Sequence, residues 1–221
     1  GYHFSFLSCI GRIYMFNLDD FISKSTKHSI ILPLKNAEIT YYPNFFSESK
    51  AAYYFQKFLR ETPWQQDDIK VFGKIYPQPR LTALYGIEGK SYSYSGIRMF
   101  PKPFTPDLFS LLAQIEKAGQ EKFNAILLNL YRNGNDSNGW HSDDEKELGE
   151  NPVIASVSFG AQRYFHLKNK KDARETYKLS LSHGSLLLMA GATQHYWQHQ
   201  LPKTKMVQEP RINLTFRKII A

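Results

Sequence analysis

Two stretches in the first half of the chain repeat apolar residues at the spacing of an amphipathic helix. The first follows Ser47, a residue type that commonly caps a helix N-terminus. Its apolar residues are Ala52, Phe55, Phe58 and Leu59. The second opens at Thr105-Pro106 and has Gly119 placed to end it. Its stripe comprises Leu108, Leu111, Leu112 and Ile115. We predict two helices whose apolar faces belong to the core.

Beyond Gly119 the pattern changes to short apolar runs separated by turn residues. These runs cover Phe123–Tyr131, Val153–Phe159, Tyr164–Leu167, Tyr177–Leu181, Ser185–Met189 and Arg211–Phe216. Many short strands at regular spacing are typical of a sandwich or jelly roll. We therefore predict an α+β protein that is mainly β, with an open mouth where strand ends build a site.

The patterning also divides the chain into three regions. Residues 1–36 form a weakly patterned N-terminal extension, residues 37–119 carry the helices with hairpin-like material between them, and residues 120–221 are rich in strands. A chain of 221 residues is long enough for one well-cored domain. We expect the three regions to form one compact domain.

Charge and cysteine content narrow the partners and the compartment. The formal net charge is +8, which favours a polyanionic partner such as nucleic acid. Cys9 is the only cysteine, which excludes an intramolecular disulfide and fits a reducing compartment. The apolar segment from Phe4 to Phe16 is interrupted by Arg12 and is too short to span a bilayer. We expect an intracellular monomer without a membrane partner, in the cytoplasm of a bacterium or the nucleus of a eukaryote.

A candidate metal motif lies in the segment GWHSDDE. In an extended chain, residues two apart project to the same face, so His141 and Asp143 can point at one ion. Two histidines and one carboxylate leave three octahedral positions open, which suits non-haem iron(II). Spacing alone does not choose the second histidine. The candidates are His3, His28, His166, His183, His195 and His199.

A polar strand face near the C-terminus suggests a binding site for a dicarboxylate. As a strand, PRINLTFR places Arg211, Asn213, Thr215 and Arg217 on one face and three apolar residues on the other. Two guanidinium groups are too polar to be buried without a partner, and 2-oxoglutarate would supply one. Taken by itself, the strand is better explained as an exposed edge with solvated arginines.

Asn129 and Tyr131 form a similar polar pair on one face of an apolar strand. The tyrosine hydroxyl and the asparagine amide can serve the same ligand. The alternative is a buried tyrosine with its own partner and an asparagine at a strand end.

Several long blocks of the sequence resemble the AlkB dioxygenases, particularly the two mammalian DNA-repair homologues. The blocks are NLYRNGNDSNGWHSDDEKELG, PVIASVSFGA, LSHGSLLLMAGATQ, WQHQLP and EPRINLTFRKI. The resemblance runs from about Ala37 to Ala221 with motif order and spacing intact. It implies a double-stranded β-helix core, residues 120–221, under a nucleotide-recognition lid with supporting helices, residues 37–119.

The resemblance also implies the residues of the site. Iron(II) would be held by His141, Asp143 and His199, the last because the family's distal ligand lies in a Trp-x-His-x-x-Pro context. Arg211 would pair with the distal carboxylate of 2-oxoglutarate. Its metal-binding end would be held by Arg217 and Asn129, with support from Tyr131 and Asn213.

The chemistry implied by the resemblance is oxidative demethylation. Iron(II), O₂ and 2-oxoglutarate would hydroxylate an N-methyl group on a base, with release of formaldehyde, succinate and CO₂. The substrates of the similar family members are 1-methyladenine and 3-methylcytosine. A base modified on its pairing edge must leave the stack to be reached, and its weak pairing lowers the cost of flipping it.

The segments PQPRLTALYG and KSYSYSG resemble the family's lid. Tyr92 and Tyr94 are candidates to line the base pocket, against the alternative of a hairpin with two partly exposed tyrosines. Arg80 is a candidate contact to a phosphate or the base. Asp144, with Glu145 in support, is a candidate neighbour of a cationic methylated ring.

The segment Val71-Phe72-Gly73-Lys74 resembles the hairpin that the duplex-acting homologue inserts into the base stack. Phe72 would fill the gap left by the flipped nucleotide, against the alternative of a core phenylalanine in a strand. Other blocks, including WHSDDE and GATQ, look more like the homologue that prefers single strands. The mixture favours activity on both kinds of strand.

Three competing functions remain at the level of sequence. The first is the same chemistry on methylated RNA, and the second is hydroxylation of a protein or small molecule, which the basic charge disfavours. The third is a non-catalytic nucleic-acid-binding module on this scaffold. A decayed enzyme is expected to lack a metal ligand or a co-substrate arginine, and His141, Asp143, His199, Arg211 and Arg217 are all present.

Overall fold

A computed structural model describes residues 15–87, 92–94 and 97–220 of the protein. The strands and helices of this part occur in the following chain order: β1 (Met15–Asn17), α1 (Asp19–Ser23), β2 (Ile30–Ile31), β3 (Glu38–Tyr42), α2 (Glu48–Glu61), β4 (Asp68–Val71), β5 (Lys74–Pro77), β6 (Leu81–Gly86), β7 (Tyr92–Tyr94), β8 (Ile97–Met99), α3 (Pro106–Gly119), β9 (Ala125–Tyr131), β10 (Asn138–His141), β11 (Ile154–Gly160), β12 (Arg163–Asn169), β13 (Thr176–Leu181), β14 (Ser185–Ala190), α4 (Thr193–Tyr196), β15 (Trp197–Leu201) and β16 (Arg211–Arg217).

Two largely antiparallel sheets form the centre of the molecule. The larger has seven strands in the order β2-β3-β14-β11-β16-β9-β6, and the smaller has five in the order β1-β13-β12-β15-β10. The prediction of a mainly β jelly roll is confirmed. The hairpins β4–β5 and β7–β8 form separate two-stranded sheets.

Apolar side chains fill two layers. One lies between the two sheets and contains Phe165, Leu167 and Trp197 of the smaller sheet. The other lies between the larger sheet and helices α2 and α3. A strand of the larger sheet is therefore covered on both faces, which explains why every residue of β9 and β16 is buried.

Both predicted helices begin where the sequence placed them. The hydroxyls of Ser47 and Thr105 accept hydrogen bonds from main-chain N–H groups three residues on, at 3.3 Å in each case. The four predicted residues of α3 are buried, as expected. Helix α3 ends at Gly119, and the residue that caps it in the left-handed conformation is Gln120, with a φ of 49°.

The apolar face of α2 agrees with the prediction except at Ala52, because Phe58 is buried and Phe55 and Leu59 are partly buried against the core. Ala51, Tyr54 and Phe58 are buried, whereas Ala52 is exposed. Tyr54 stacks on Phe58, and both rings lie against Phe159 in the sheet below. The ring centroid of Phe159 is 5.8 Å from that of Tyr54 and 6.4 Å from that of Phe58. The prediction missed Ala51 and Tyr54, which complete the face that packs on the sheet.

The regions drawn from the sequence share these sheets. From residues 37–119, β3 pairs with β14 and β6 pairs with β9. From residues 1–36, β1 pairs with β13 and β2 pairs with β3. The described residues of the first two regions therefore contribute strands to the same two sheets as residues 120–221. None of the described helices combines the length and apolar character needed to cross a membrane.

Candidate metal centre and co-substrate pocket

Two histidines and one aspartate, residue types that commonly bind metals, lie close together between the two sheets. His141 ends β10, Asp143 follows two residues later, and His199 lies in β15 directly opposite His141. One ligand atom from each lies within 4.8 Å of the others. The spacing of His141 and Asp143 does not come from a continuous strand, because β10 ends at His141. The neighbouring strands β10 and β15 bring the second histidine to the first.

Hydrogen bonds hold Asp143 in place. Its main-chain N–H donates to Oε1 of Gln194 at 2.8 Å, and Nη2 of Arg217 donates to its Oδ1 at 2.7 Å. Its other oxygen, Oδ2, lies 3.5 Å from Nε2 of His199. Outer partners of this kind orient metal ligands and contribute to metal affinity.

The two histidines are oriented by their own contacts. Nδ1 of His141 lies 2.7 Å from the carbonyl oxygen of Gly139, so a proton on Nδ1 is donated there and Nε2 is left for a metal. The ring of His199 stacks on Phe165 with centroids 5.2 Å apart. These contacts give both rings a defined orientation.

The protonation states suit a cation. Burial and the neighbouring His141 lower the pKa of His199 to about 3, and burial also lowers the pKa of His141. Burial opposes ionisation of Asp143, but the charge and the hydrogen bond of Arg217 outweigh it and hold the pKa of that carboxyl well below its ordinary value. Two neutral imidazoles and a carboxylate at neutral pH are the forms that bind a metal.

Beside the triad, β9, β11 and β16 line a buried polar pocket. The register places Arg211 opposite Tyr131 and Asn213 opposite Asn129. Arg211 is 2% exposed and Arg217 is 4% exposed. The alternative of solvated arginines on an edge strand is therefore wrong, since β16 lies between β9 and β11. The polar residues that line the pocket are Asn129, Tyr131, Asn138, His141, Asp143, Ser156, His199, Gln200, Arg211, Asn213, Thr215 and Arg217.

The buried guanidinium of Arg211 is suited to bind an anion. Its Nη2 donates to Oγ of Ser158 at 2.9 Å and its Cζ lies 5.3 Å from the ring centroid of Tyr131. Among the described residues, its buried Nε has no hydrogen-bond partner. Burial lowers its pKa to about 10, which leaves it charged at neutral pH. A buried unsatisfied donor on a cation is costly, and a carboxylate removes that cost.

The remaining predicted co-substrate residues are held in the same pocket. Nδ2 of Asn213 donates to Oγ of Ser156 at 2.7 Å, and Oγ1 of Thr215 donates to Oδ1 of Asn213 at 2.8 Å. Oδ1 of Asn129 accepts from Nε of Arg80 at 3.1 Å. A donor set of two imidazoles and a carboxylate beside a buried arginine fits iron(II) with a bound 2-oxo dicarboxylate.

Arg80, predicted to contact a phosphate or the base, lies inside the fold beside Asn129. It is 4% exposed, and besides Asn129 it donates to the carbonyl oxygen of Ser137 at 3.1 Å. Arg80 therefore supports Asn129, and the sequence did not show that this arginine lies inside the fold. Its predicted contact to a phosphate or the base stays a prediction.

Two of the other predicted substrate residues, Phe72 and Asp144, are exposed. Phe72 is fully exposed at the tip of the β4–β5 hairpin, so the alternative of a core phenylalanine is wrong. Asp144 is exposed and lies 3.5 Å from Nζ of Lys170, and Glu145 is partly buried. Tyr92 and Tyr94 form β7, but their side chains lie outside the described residues.

Sequence reasoning missed several residues that support the site. Gln194, Phe165 and Ser158 contact Asp143, His199 and Arg211, respectively. Gln194 lies in the GATQ block, so the resemblance pointed to its neighbourhood but gave it no role. Ser158 and Phe165 look like ordinary strand residues, and only the sheet register reveals their contacts.

The fold and the site together define a class of protein: a jelly-roll oxygenase with a two-histidine, one-carboxylate iron site beside a pocket for a 2-oxo acid. The family model for the 2OG-Fe(II) oxygenase superfamily matches residues 38–217. The chain belongs to this superfamily and to its AlkB branch. Its cofactor is iron(II), with 2-oxoglutarate and O₂ as co-substrates.

Similar proteins support the AlkB assignment. The chain is 42% identical over 201 residues to the alpha-ketoglutarate-dependent dioxygenase alkB homolog 3 of Mus musculus, which covers 85% of this chain and 68% of that protein. It is 46% identical over 191 residues to the Bos taurus protein of the same description, and this match covers 80% of this chain and 64% of that protein. It is 40% identical over 190 residues to the DNA oxidative demethylase ALKBH2 of Bos taurus, covering 81% and 68%. The chain thus spans about two thirds of the length of these relatives.

A solved structure described as OsALKBH1 has the same fold. Its TM-score is 0.64 at 15% sequence identity, over 86% of this chain and 100% of that one. At this identity the likeness supports the fold alone.

Proposed function

We propose that this protein is an oxidative demethylase that repairs 1-methyladenine and 3-methylcytosine in DNA. The observation that carries the proposal is the buried His141-Asp143-His199 triad beside the orphaned guanidinium nitrogen of Arg211. The relatives described as DNA oxidative demethylases support DNA as the substrate. The net charge of +8 favours the same class of partner.

Each part of the pocket has a proposed task. His141, Asp143 and His199 bind iron(II), and Arg211 pairs with the distal carboxylate of 2-oxoglutarate. Arg217 and Asn129, supported by Tyr131 and Asn213, orient its metal-binding end. When bound, iron(II) with 2-oxoglutarate and O₂ supplies the oxidation of the methyl group. These tasks rest on positioning inside a pocket that the two sheets shield from water.

The exposed hairpin supplies the contact with the DNA helix. Phe72 has a φ of 48° and Gly73 a φ of 79°, so two successive residues with positive φ make the tight turn of β4–β5. A phenylalanine is strained in this conformation, and strain at an exposed tip is typical of a functional residue. We propose that Phe72 enters the base stack where the methylated base has left it. Lys70 and Lys74 lie on either side of the tip, and their positive charges favour contacts with the DNA phosphates that flank the inserted ring.

Residues nearer the mouth have proposed substrate roles that rest on the family resemblance. Tyr92 and Tyr94 would stack on the flipped base. Asp144, which is exposed, would face the cationic methylated ring, with Glu145 in support. The combination of a hairpin finger with a single-strand-like WHSDDE block favours action on both single and double strands. We propose that the protein acts as a monomer inside the cell, because this reducing environment keeps iron in the iron(II) state.

The experiment compares two oligonucleotides, one single-stranded and one duplex, that each carry one 1-methyladenine. Mass spectrometry follows loss of the methyl group with iron(II), 2-oxoglutarate and ascorbate, and with each omitted in turn. We expect demethylation of both substrates that requires iron and 2-oxoglutarate. Matched RNA strands are assayed in parallel. A clear preference for RNA, or no turnover of DNA by protein that binds 2-oxoglutarate, would contradict the DNA proposal and leave the enzyme class standing.

A further inference from the structure

A further buried arginine lies outside the predicted site residues. Arg163 is the first residue of β12 and is 2% exposed. Its guanidinium donates to three main-chain carbonyl oxygens: Asn133 at 3.2 Å, Asp136 at 2.9 Å and Pro202 at 2.8 Å. Burying a charge is costly unless it is hydrogen-bonded, so these three acceptors make its position possible. Arg163 therefore ties together three points of the main chain.

The acceptors belong to two loops that connect the sheets. Residues 132–137 lead from β9 to β10, which is from the strand of Asn129 and Tyr131 to the strand that ends at His141. Residues 202–210 lead from β15, the strand of His199, to β16, which begins at Arg211. Each loop thus joins a metal-ligand strand to a strand of the co-substrate pocket. Arg163 binds both loops at once.

The two loops also touch each other directly. The N–H of Gly134 donates to the carbonyl oxygen of Val207, and the N–H of Thr204 donates to that of Gly134, both at 2.8 Å. A Cβ at Gly134 would clash with the carbonyl oxygens of Thr204 and Val207. Only glycine allows this approach of the two backbones. The loops therefore behave as one unit, with Arg163 beneath it.

Tyr131 extends this unit into the pocket. Cζ of Arg163 lies 5.8 Å from its ring centroid, and Cζ of Arg211 lies 5.3 Å from the same centroid. Both distances lie within the range of cation–π attraction. A shift of Arg163 would therefore move Tyr131 and, through it, the guanidinium that is proposed to receive the distal carboxylate. Arg163 itself is not among the described residues that line the pocket.

We propose that Arg163 is a positioning residue that sets the distance between the co-substrate arginine and the metal ligands. The inference rests on the proposed role of Arg211. The planar fork of an arginine serves three acceptors at defined angles, which the single ammonium of a lysine cannot do. Small displacements of the groups in a preorganised site weaken ligand binding strongly. Loss of the arginine fork therefore weakens 2-oxoglutarate binding, although no group that contacts 2-oxoglutarate is removed.

The test is Arg163→Lys, with 2-oxoglutarate binding measured by calorimetry on iron(II)-loaded protein under anaerobic conditions. We expect the dissociation constant for 2-oxoglutarate to rise about tenfold, the lower end of the effect of a lost outer-shell partner. In steady-state demethylation, KM for 2-oxoglutarate should rise by a similar factor while kcat changes less than about threefold. A purely structural role would lower the melting temperature and leave the dissociation constant unchanged, which would overturn the inference.

A control and a second variant make the test decisive. Arg174→Lys changes an exposed arginine whose side chain is 87% accessible and should leave the dissociation constant unchanged. Gly134→Ala separates the two loops and keeps Arg163, so it should also weaken 2-oxoglutarate binding. If Arg163→Lys does not fold, an unchanged dissociation constant in Gly134→Ala overturns the inference.

Failure of the underlying proposal would look different. If Arg211→Met binds 2-oxoglutarate as tightly as the unmodified protein does, then the role of Arg211 is wrong. If Arg211→Met loses binding and neither Arg163→Lys nor Gly134→Ala changes it, only the inference about Arg163 is wrong.

Discussion

The pocket between the sheets and the β4–β5 hairpin differ in almost every physical respect. The pocket is built from side chains that are nearly all buried and held by hydrogen bonds to neighbouring strands. The hairpin is a two-stranded sheet with almost all its residues exposed, and Phe72 lies at its tip with nothing covering it. Chemistry that needs fixed distances is thus placed in the core. The contact proposed to enter the base stack is placed on an element that little else depends on.

The largest expected effect comes from removing a buried metal ligand. His199→Ala should reduce iron-dependent demethylation by more than about a hundredfold, beyond the 10–100-fold cost of losing an outer partner of a metal ligand. The matched control is His195→Ala, an exposed histidine four residues away. Turnover is followed by methyl loss, and iron content is measured separately. Equal activity of the two variants would break the assignment of His199.

A smaller effect is expected from the co-substrate arginine. Arg211→Met should raise KM for 2-oxoglutarate on the order of a hundredfold, since truncating one partner of a buried charge pair costs about 2–5 kcal/mol. The exposed Arg174→Met serves as the control. The measurement is initial rate against 2-oxoglutarate concentration. An unchanged KM would show that the distal carboxylate binds elsewhere.

The hairpin should affect one substrate and spare the other. Phe72→Ala should reduce repair of duplex DNA about tenfold, which corresponds to about 1.4 kcal/mol of lost insertion. Single-stranded repair should change less than about twofold, because no stack has to be filled. Ile75→Ala, 69% exposed on the same hairpin, is the control. Equal losses on both substrates would mean that Phe72 acts on the base or the fold instead of the stack.

The smallest effect concerns the turn itself. Gly73→Ala places a side chain at a φ of 79°, with no atom within 4 Å of the new Cβ, so the cost is conformational and about 1–2 kcal/mol. We expect duplex repair to fall a few-fold, less than with Phe72→Ala. The melting temperature should stay the same because the hairpin is not part of the two central sheets. A large drop in melting temperature would show that the hairpin supports the core after all.

Sequence patterns worked best where the strand has a conventional apolar face. Strand β16 was predicted within one residue of its observed end, and its two faces were assigned correctly. Strands β10 and β15, which carry the two metal-binding histidines, were not predicted. Their sequences, NGWH and WQHQL, place histidines where a strand pattern expects apolar residues. A functional residue that points inward removes the signal that would reveal its strand.

The site could be predicted only in part for a related reason. The triad and Arg211 came from recognisable blocks, but spacing did not distinguish His199 from His195. Arg80 and Arg163 look like surface residues in the sequence, because arginine is rarely buried without a partner. Their acceptors, such as the carbonyl oxygens of Ser137 and Pro202, are distant in sequence. No local pattern identifies contacts of that kind.

The alternation along β16 also bears on how the chain reaches a single folded state. Shifting this strand by one residue would turn Arg211, Asn213 and Arg217 towards the apolar layer under α2 and α3, and Ile212 and Phe216 towards the pocket. Both mistakes are costly, so misaligned pairings with β9 and β11 are strongly disfavoured during folding. The residues proposed to recognise a dicarboxylate thus also disfavour incorrect alignment of β16 with its neighbours. Replacing them to change co-substrate specificity would therefore risk misfolding as well as loss of binding.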